Sequence, residues 1–113
     1  PSGYGRVIRD EHGVFVAVVE EADASPAEKQ HNEINTGVLA ANAAALVAWL
    51  EGIGNDNAQS EYYLPDVLGL AKAEGAPVNL VHSTSVLDTL GVNTLQQLER
   101  HLLAFGHLLL LTA

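Results

Sequence analysis

The sequence predicts an α/β fold: a mixed, mostly parallel sheet with flanking helices and a β-hairpin at its start. Three observations carry this. Two runs rich in β-branched residues flank the turn-forming Asp10-Glu11-His12-Gly13. Apolar strand-like segments from Ile34 onward alternate with helical patterns. Helix-starting and helix-stopping residues fall between them. A strand-helix-strand order favours parallel pairing with helices packed on the sheet. About four strands and three or four helices are closer to half of such a domain than to a whole one.

Taken in order, Gly5 to Arg9 and Val14 to Glu20 form the predicted hairpin. Ser25-Pro26-Ala27-Glu28 then has a capping-box pattern, with a Ser cap, Pro at the first helical position and Glu at the third, so a short helix starts there. Ile34 to Ala41 reads as a third strand. Asn42 caps a helix running to about Glu51, whose Leu46, Val47, Leu50 and Ile53 share a face expected to be buried, with Trp49 beside it as core. After the polar loop Gly54 to Ser60, a helix is expected from about Pro65 to Glu74, stopped by Gly75 and Pro77. Val78 to Val81 reads as a short buried strand, Ser83 to Asn93 as mostly loop, and Thr94 to Phe105 as a helix with Leu95, Leu98, Leu102 and Leu103 on one face.

Composition narrows the function. Of 113 residues 48% are apolar and 17% charged, which argues against disorder. There is no cysteine, so thiolate metal sites, disulfides and a cysteine nucleophile are excluded. The net charge of −9 makes a nucleic-acid surface improbable and means that a phosphorylated ligand needs charge from elsewhere. No apolar run approaches the ~20 residues that span a bilayer, so no membrane segment is expected, and the cytoplasm is the default compartment. The absence of methionine and the apolar run Leu108 to Leu111 suggest a piece of something larger.

The five histidines show no metal-ligand spacing. No glycine-rich loop opens a helix, and no Gly-x-Ser-x-Gly elbow occurs. What remains is a set of polar residues at the ends of apolar strands, where the loops at a sheet edge build sites. Glu20 ends a strand, where a carboxylate accepts sugar hydroxyls or is simply solvated. Asn35 interrupts an apolar segment, and its amide needs partners. Asn93 opens a helix, either as a plain N-cap or as a ligand or metal contact. Tyr62 and Tyr63 either stack on a sugar or base or pack ordinarily.

Several blocks occur together and in order: Gly3-Tyr4-Gly5-Arg6, Val19-Glu20-Glu21, Glu33-Ile34-Asn35-Thr36-Gly37, Asn55-Asp56-Asn57-Ala58-Gln59, Glu61-Tyr62-Tyr63 with Asp66, and Gly91-Val92-Asn93. With them the chain resembles the bacterial bifunctional N-acetylglucosamine-1-phosphate uridyltransferase and glucosamine-1-phosphate acetyltransferase family, to about Leu111. The resemblance implies that residues 1–113 are the C-terminal, sugar-binding half of a Rossmann-like nucleotidyltransferase domain. The nucleotide-binding half and the acetyltransferase β-helix would then be absent. It implies UTP and N-acetylglucosamine 1-phosphate as substrates, UDP-N-acetylglucosamine and pyrophosphate as products, Mg2+ as cofactor, a cytoplasmic homotrimeric parent enzyme, and a role in peptidoglycan and lipopolysaccharide synthesis. By the same resemblance Gly5 would give a backbone N–H to the sugar, with its missing side chain allowing close approach. Glu20 would take sugar hydroxyls, Asn35 would hold the sugar through its amide, and Asn93 would contact the nucleotide sugar and Mg2+.

The chain also departs from that family. It lacks the family's glycine-rich loop with phosphate-binding Arg and Lys, its uracil-reading segment and the Asp that completes its metal site. Pro65 stands where Thr is common, Leu90 where Glu is usual, and Thr94 and Leu95 replace Asn and Arg. A fragment inactive on its own is therefore the first expectation. The alternatives are part of a single-function sugar-phosphate nucleotidyltransferase, and a non-catalytic sugar-binding or assembly module that pairs through a sheet edge.

Overall fold

The computed structural model describes residues 2–85, 89, 91–92, 94–99 and 101–103. They fall into two units, Pro1–His82 and Ser83–Ala113. The first unit opens with strand β1 (Arg6–Arg9), paired antiparallel with β2 (Phe15–Val19). The turn between them is held by the Asp10 carboxylate, which accepts the N–H groups of His12 and Val14, both at 2.9 Å. Gly13 adopts φ 77°, a conformation that glycine takes without a Cβ penalty. The register slips between Ile8 and Arg9, so that Ile8 faces Ala17 while Arg9 faces Phe15.

Beyond β2 the capping box forms as expected: the Glu28 N–H donates to Ser25 Oγ at 3.2 Å and the Ser25 N–H to Glu28 Oε2 at 2.8 Å. It supports only a 3-10 turn, Glu28–Gln30. Helix α1 (Ala43–Gly52) follows, with the Asn42 side chain accepting from the N–H groups of Ala44 and Ala45, and then α2 (Asp66–Ala73). The core lies where α2 meets the hairpin: Val7, Phe15, Ala24, Val67 and Ala71 are buried, Val67 to 1% exposure. The Lys72 ammonium donates to the Phe15 carbonyl at 2.7 Å and ties α2 to the start of β2.

Three expectations need correction. Ile34 to Ala41 is not a strand; it makes a single antiparallel bridge, Ile34 to Arg6. Extension stops because the Asn35 side-chain oxygen accepts the Gly37 N–H at 3.2 Å and Gly37 turns into positive φ. Val78 to Val81 forms no strand, and Val81 is 94% exposed. Among the described residues the sheet therefore has two antiparallel strands and no parallel pair.

The third correction concerns α1, which buries no residue: Val47 and Leu50 are exposed, Leu46 and Ile53 half-buried. With no sheet beneath it, α1 contacts α2, and Trp49 is half-buried with its indole N–H on Glu74 Oε2 at 2.8 Å instead of in a core. The small α/β character holds.

In the second unit residues 95–99 and 101–103 are helical. Thr94 and Gln97 cap this helix reciprocally, N–H to side-chain oxygen, at 3.0 and 3.1 Å. Leu95, Leu98, Leu102 and Leu103 are exposed. Asn93, Phe105 and the run Leu108 to Leu111 lie outside the described residues. No helix among the described residues is long and apolar enough to cross a membrane.

Candidate functional site

Antiparallel pairing makes neighbours of residues far apart in the chain. Arg6 faces Val19, so Gly5 and Glu20 meet at the open end of the hairpin. The segment after the 3-10 turn lies along the outer edge of β1, where the Val7 N–H donates to the Glu33 carbonyl at 3.0 Å and the Asn35 N–H to the Gly5 carbonyl at 2.9 Å. The backbones of three of the four predicted site residues, Gly5, Glu20 and Asn35, thus converge. The Asn35 amide oxygen serves the turn to Gly37.

Glu20 lines a groove of about 350 Å³ together with Val18, Val19, Asp23, Gly54, Asp56, Asn57, Tyr63 and Asp66. A neighbouring groove of about 300 Å³ shares Val18, Gly54 and Asp66 and continues past Pro65 to Leu70. The turn after β2 is tight, with the N–H groups of Asp23 and Ala24 both donating to the Glu20 carbonyl. That turn brings Asp23 across to the loop before α2. Its carboxylate accepts the Ala58 N–H at 2.8 Å and stands 3.1 Å from the Tyr63 hydroxyl, which is also 3.0 Å from Gln59 Oε1. One hydroxyl proton serves one of these two acceptors at a time.

The groove is acidic, and no Lys or Arg lines it. Burial, then the charges of Asp66 and Asp23, push the Glu20 carboxyl up from its ordinary value. Burial and Asp23 do the same to Asp66. The Tyr63 phenol is pushed up to about 12 by burial, by its bond to Asp23 and by nearby carboxylates. Carboxylates here can accept hydrogen bonds from a neutral polyol, whereas a phosphate would meet only like charge.

Arg6 and Arg9 pair with other carboxylates instead. Arg6 is 2% exposed; its guanidinium lies 2.8 Å from Glu21 and donates to the Tyr4 carbonyl. Arg9 clasps Glu33 with two bonds, of 2.7 and 2.6 Å, and His82 Nε2 approaches the same carboxylate at 2.8 Å. Glu33 is thereby held down to about 2, chiefly by its bonds to Arg9.

Sequence reasoning singles out neither Asp23 nor the Arg9–Glu33 clasp. Their partners are 24 to 40 residues away, and no local pattern marks them. Of the two tyrosines, Tyr63 faces the groove, while Tyr62 is exposed. Among the described residues no group of three or more His, Asp or Glu could hold a metal ion. Asn93, predicted to do so, lies outside them.

No family model matches the chain. It is similar to curated proteins named bifunctional protein GlmU. That of Aromatoleum aromaticum is 53% identical over 98 residues, covering 87% of this chain and 22% of the relative. That of an Azoarcus species is 53% identical with the same coverage, and that of Methylococcus capsulatus is 50% identical over 98 residues, 87% of this chain and 21% of the relative. The resemblance read from the sequence holds at this level, and the chain spans about a fifth of the length of the relatives it matches.

Proposed function

We propose that this chain is the sugar-binding half of a Rossmann-like uridyltransferase domain. Its parent enzyme would join UTP and N-acetylglucosamine 1-phosphate into UDP-N-acetylglucosamine and pyrophosphate, acetylate glucosamine 1-phosphate as its second activity, and work as a cytoplasmic homotrimer in cell-wall precursor synthesis. The observation that carries the reading is the meeting of Gly5, Glu20 and Asn35 at one end of the hairpin, beside a groove rich in acceptors and without cations. Similarity to bifunctional GlmU proteins over 87% of the chain supports it. In this reading the groove takes the neutral face of the sugar. The positive charge that stabilises phosphoryl transfer comes from outside the chain.

Mg2+ is part of the reading only for the complete enzyme. One neutral amide oxygen, that of Asn93, is a poor donor set for an ion that wants octahedral oxygen ligands including carboxylates or phosphates. Among the described residues no set of acids or histidines fits the ion.

Calorimetric titration with N-acetylglucosamine 1-phosphate, with pyrophosphate release from UTP measured in parallel, tests the proposal. Sugar-phosphate binding that Glu20→Ala weakens, with no pyrophosphate release by the isolated chain, is the expected result. Binding indifferent to Glu20 would overturn the site assignment. Mg2+-dependent turnover at enzyme-like rates would overturn the inactivity of the chain alone.

A further inference from the structure

Glycine stands where the backbone needs positive φ or where another group comes too close for a Cβ. Gly5 is not one of the positive-φ glycines. A Cβ built at Gly5 would lie 2.9 Å from Glu20 Oε1 and 3.1 Å from both Cδ and Oε2. The space that a side chain would fill is therefore taken by the Glu20 carboxylate. We propose that Gly5 is a positioning residue, whose bare α-carbon seats the Glu20 carboxylate at the groove.

This rests on the reading of Glu20 as the acceptor of sugar hydroxyls, but it assigns Gly5 a role beyond any contact of its own with the ligand. The backbone at Gly5 is pinned on both sides. Its carbonyl accepts the Asn35 N–H at 2.9 Å, and the next residue, Arg6, is buried, paired with Glu21 and in register with Val19. What can yield to an added methyl is the far end of a flexible side chain, the carboxylate of Glu20. A substitution at Gly5 thus disturbs the fold little and moves the carboxylate off its seat.

The test uses the full chain carrying Gly5→Ala, Glu20→Ala or both. It has two readouts: calorimetric titration with N-acetylglucosamine 1-phosphate, and the pH titration of the Glu20 carboxyl carbon by NMR in wild type and Gly5→Ala. Gly5→Ala is expected to lose about tenfold in affinity, matching the loss from Glu20→Ala, as for one hydrogen bond to a charged group. The double variant is expected to bind no worse than Glu20→Ala alone. The Glu20 midpoint, raised by burial and by Asp66 and Asp23, is expected to fall toward the ordinary carboxylate range in Gly5→Ala.

Loss in Glu20→Ala with wild-type binding in Gly5→Ala, additive losses in the double variant, or an unmoved Glu20 midpoint would each overturn the positioning role. Wild-type chain that binds no sugar phosphate would overturn the sugar reading instead, and the midpoint would still decide the role of Gly5. Should Gly5→Ala fail to fold, recovery of folding in the double variant supports the proposal, and failure of both overturns it.

Discussion

Replacing Glu33 by Gln removes the charge that Arg9 and His82 share while leaving the shape of the side chain. Its value of about 2, against an ordinary 4.5, would amount to roughly 3 kcal/mol if converted in full. The Glu33 side chain is 26% exposed and its partner Arg9 31%, so water screens the pair, and a figure of about 1 kcal/mol is the physical one. In a domain of this size that lowers the thermal midpoint by roughly 5 °C at neutral pH.

The pH dependence is more telling than the midpoint. A carboxylate held below its unfolded value stabilises the fold above that value, and the contribution is lost as pH falls from about 4.5 through about 2. Thermal melts of wild type and Glu33→Gln followed by circular dichroism at several pH values should differ at pH 7, draw together below pH 4.5 and coincide only below pH 2. A difference that persists unchanged to pH 2, or none at pH 7, would refute the reasoning.

Two further outcomes are expected. Asn42→Ala removes the acceptor for the N–H groups of Ala44 and Ala45, and because α1 buries no residue the loss of about 1 kcal/mol should appear as reduced helical signal in far-UV circular dichroism. Asp23→Asn removes the charge beside the Tyr63 hydroxyl, so the ultraviolet absorbance titration of that phenol, raised to about 12 in the wild type, should move back toward 10.0. Since a raised phenol stabilises the fold below its unfolded value and loses that contribution as pH climbs through about 12, the variant should also be less sensitive to alkali.

The parts legible in the sequence are those whose causes are local. The hairpin follows from its turn and flanking residues, the Ser25–Glu28 box and the Asn42 cap from spacings of three residues or fewer, and α2 from its bounding Pro65 and Gly75. Strand pairing is not local. Ile34 to Ala41 has strand composition, yet its ladder ends at the Asn35 to Gly37 turn, and an apolar run looks the same with or without a neighbour to pair with. The site divides in the same way. Glu20 stands out as a polar residue at the end of an apolar run and Asn35 as one that interrupts such a run. Asp23 does not, because what sets it apart from a solvated acid is the Ala58 N–H and Tyr63 hydroxyl brought to it by the chain fold.

Trp49 is the chain's single tryptophan, and its indole bonds to a carboxylate 25 residues away, where α1 and α2 meet. Tryptophan emission from this protein is therefore a one-site optical measurement. It reads the junction of the two helices and is blind to the hairpin end, whereas tyrosine absorbance is shared by Tyr4, Tyr62 and Tyr63. If residues 1–82 melt as one cooperative body, denaturation curves taken by the two colours of light will superimpose. If the helix pair opens before the hairpin end, the emission curve will break first.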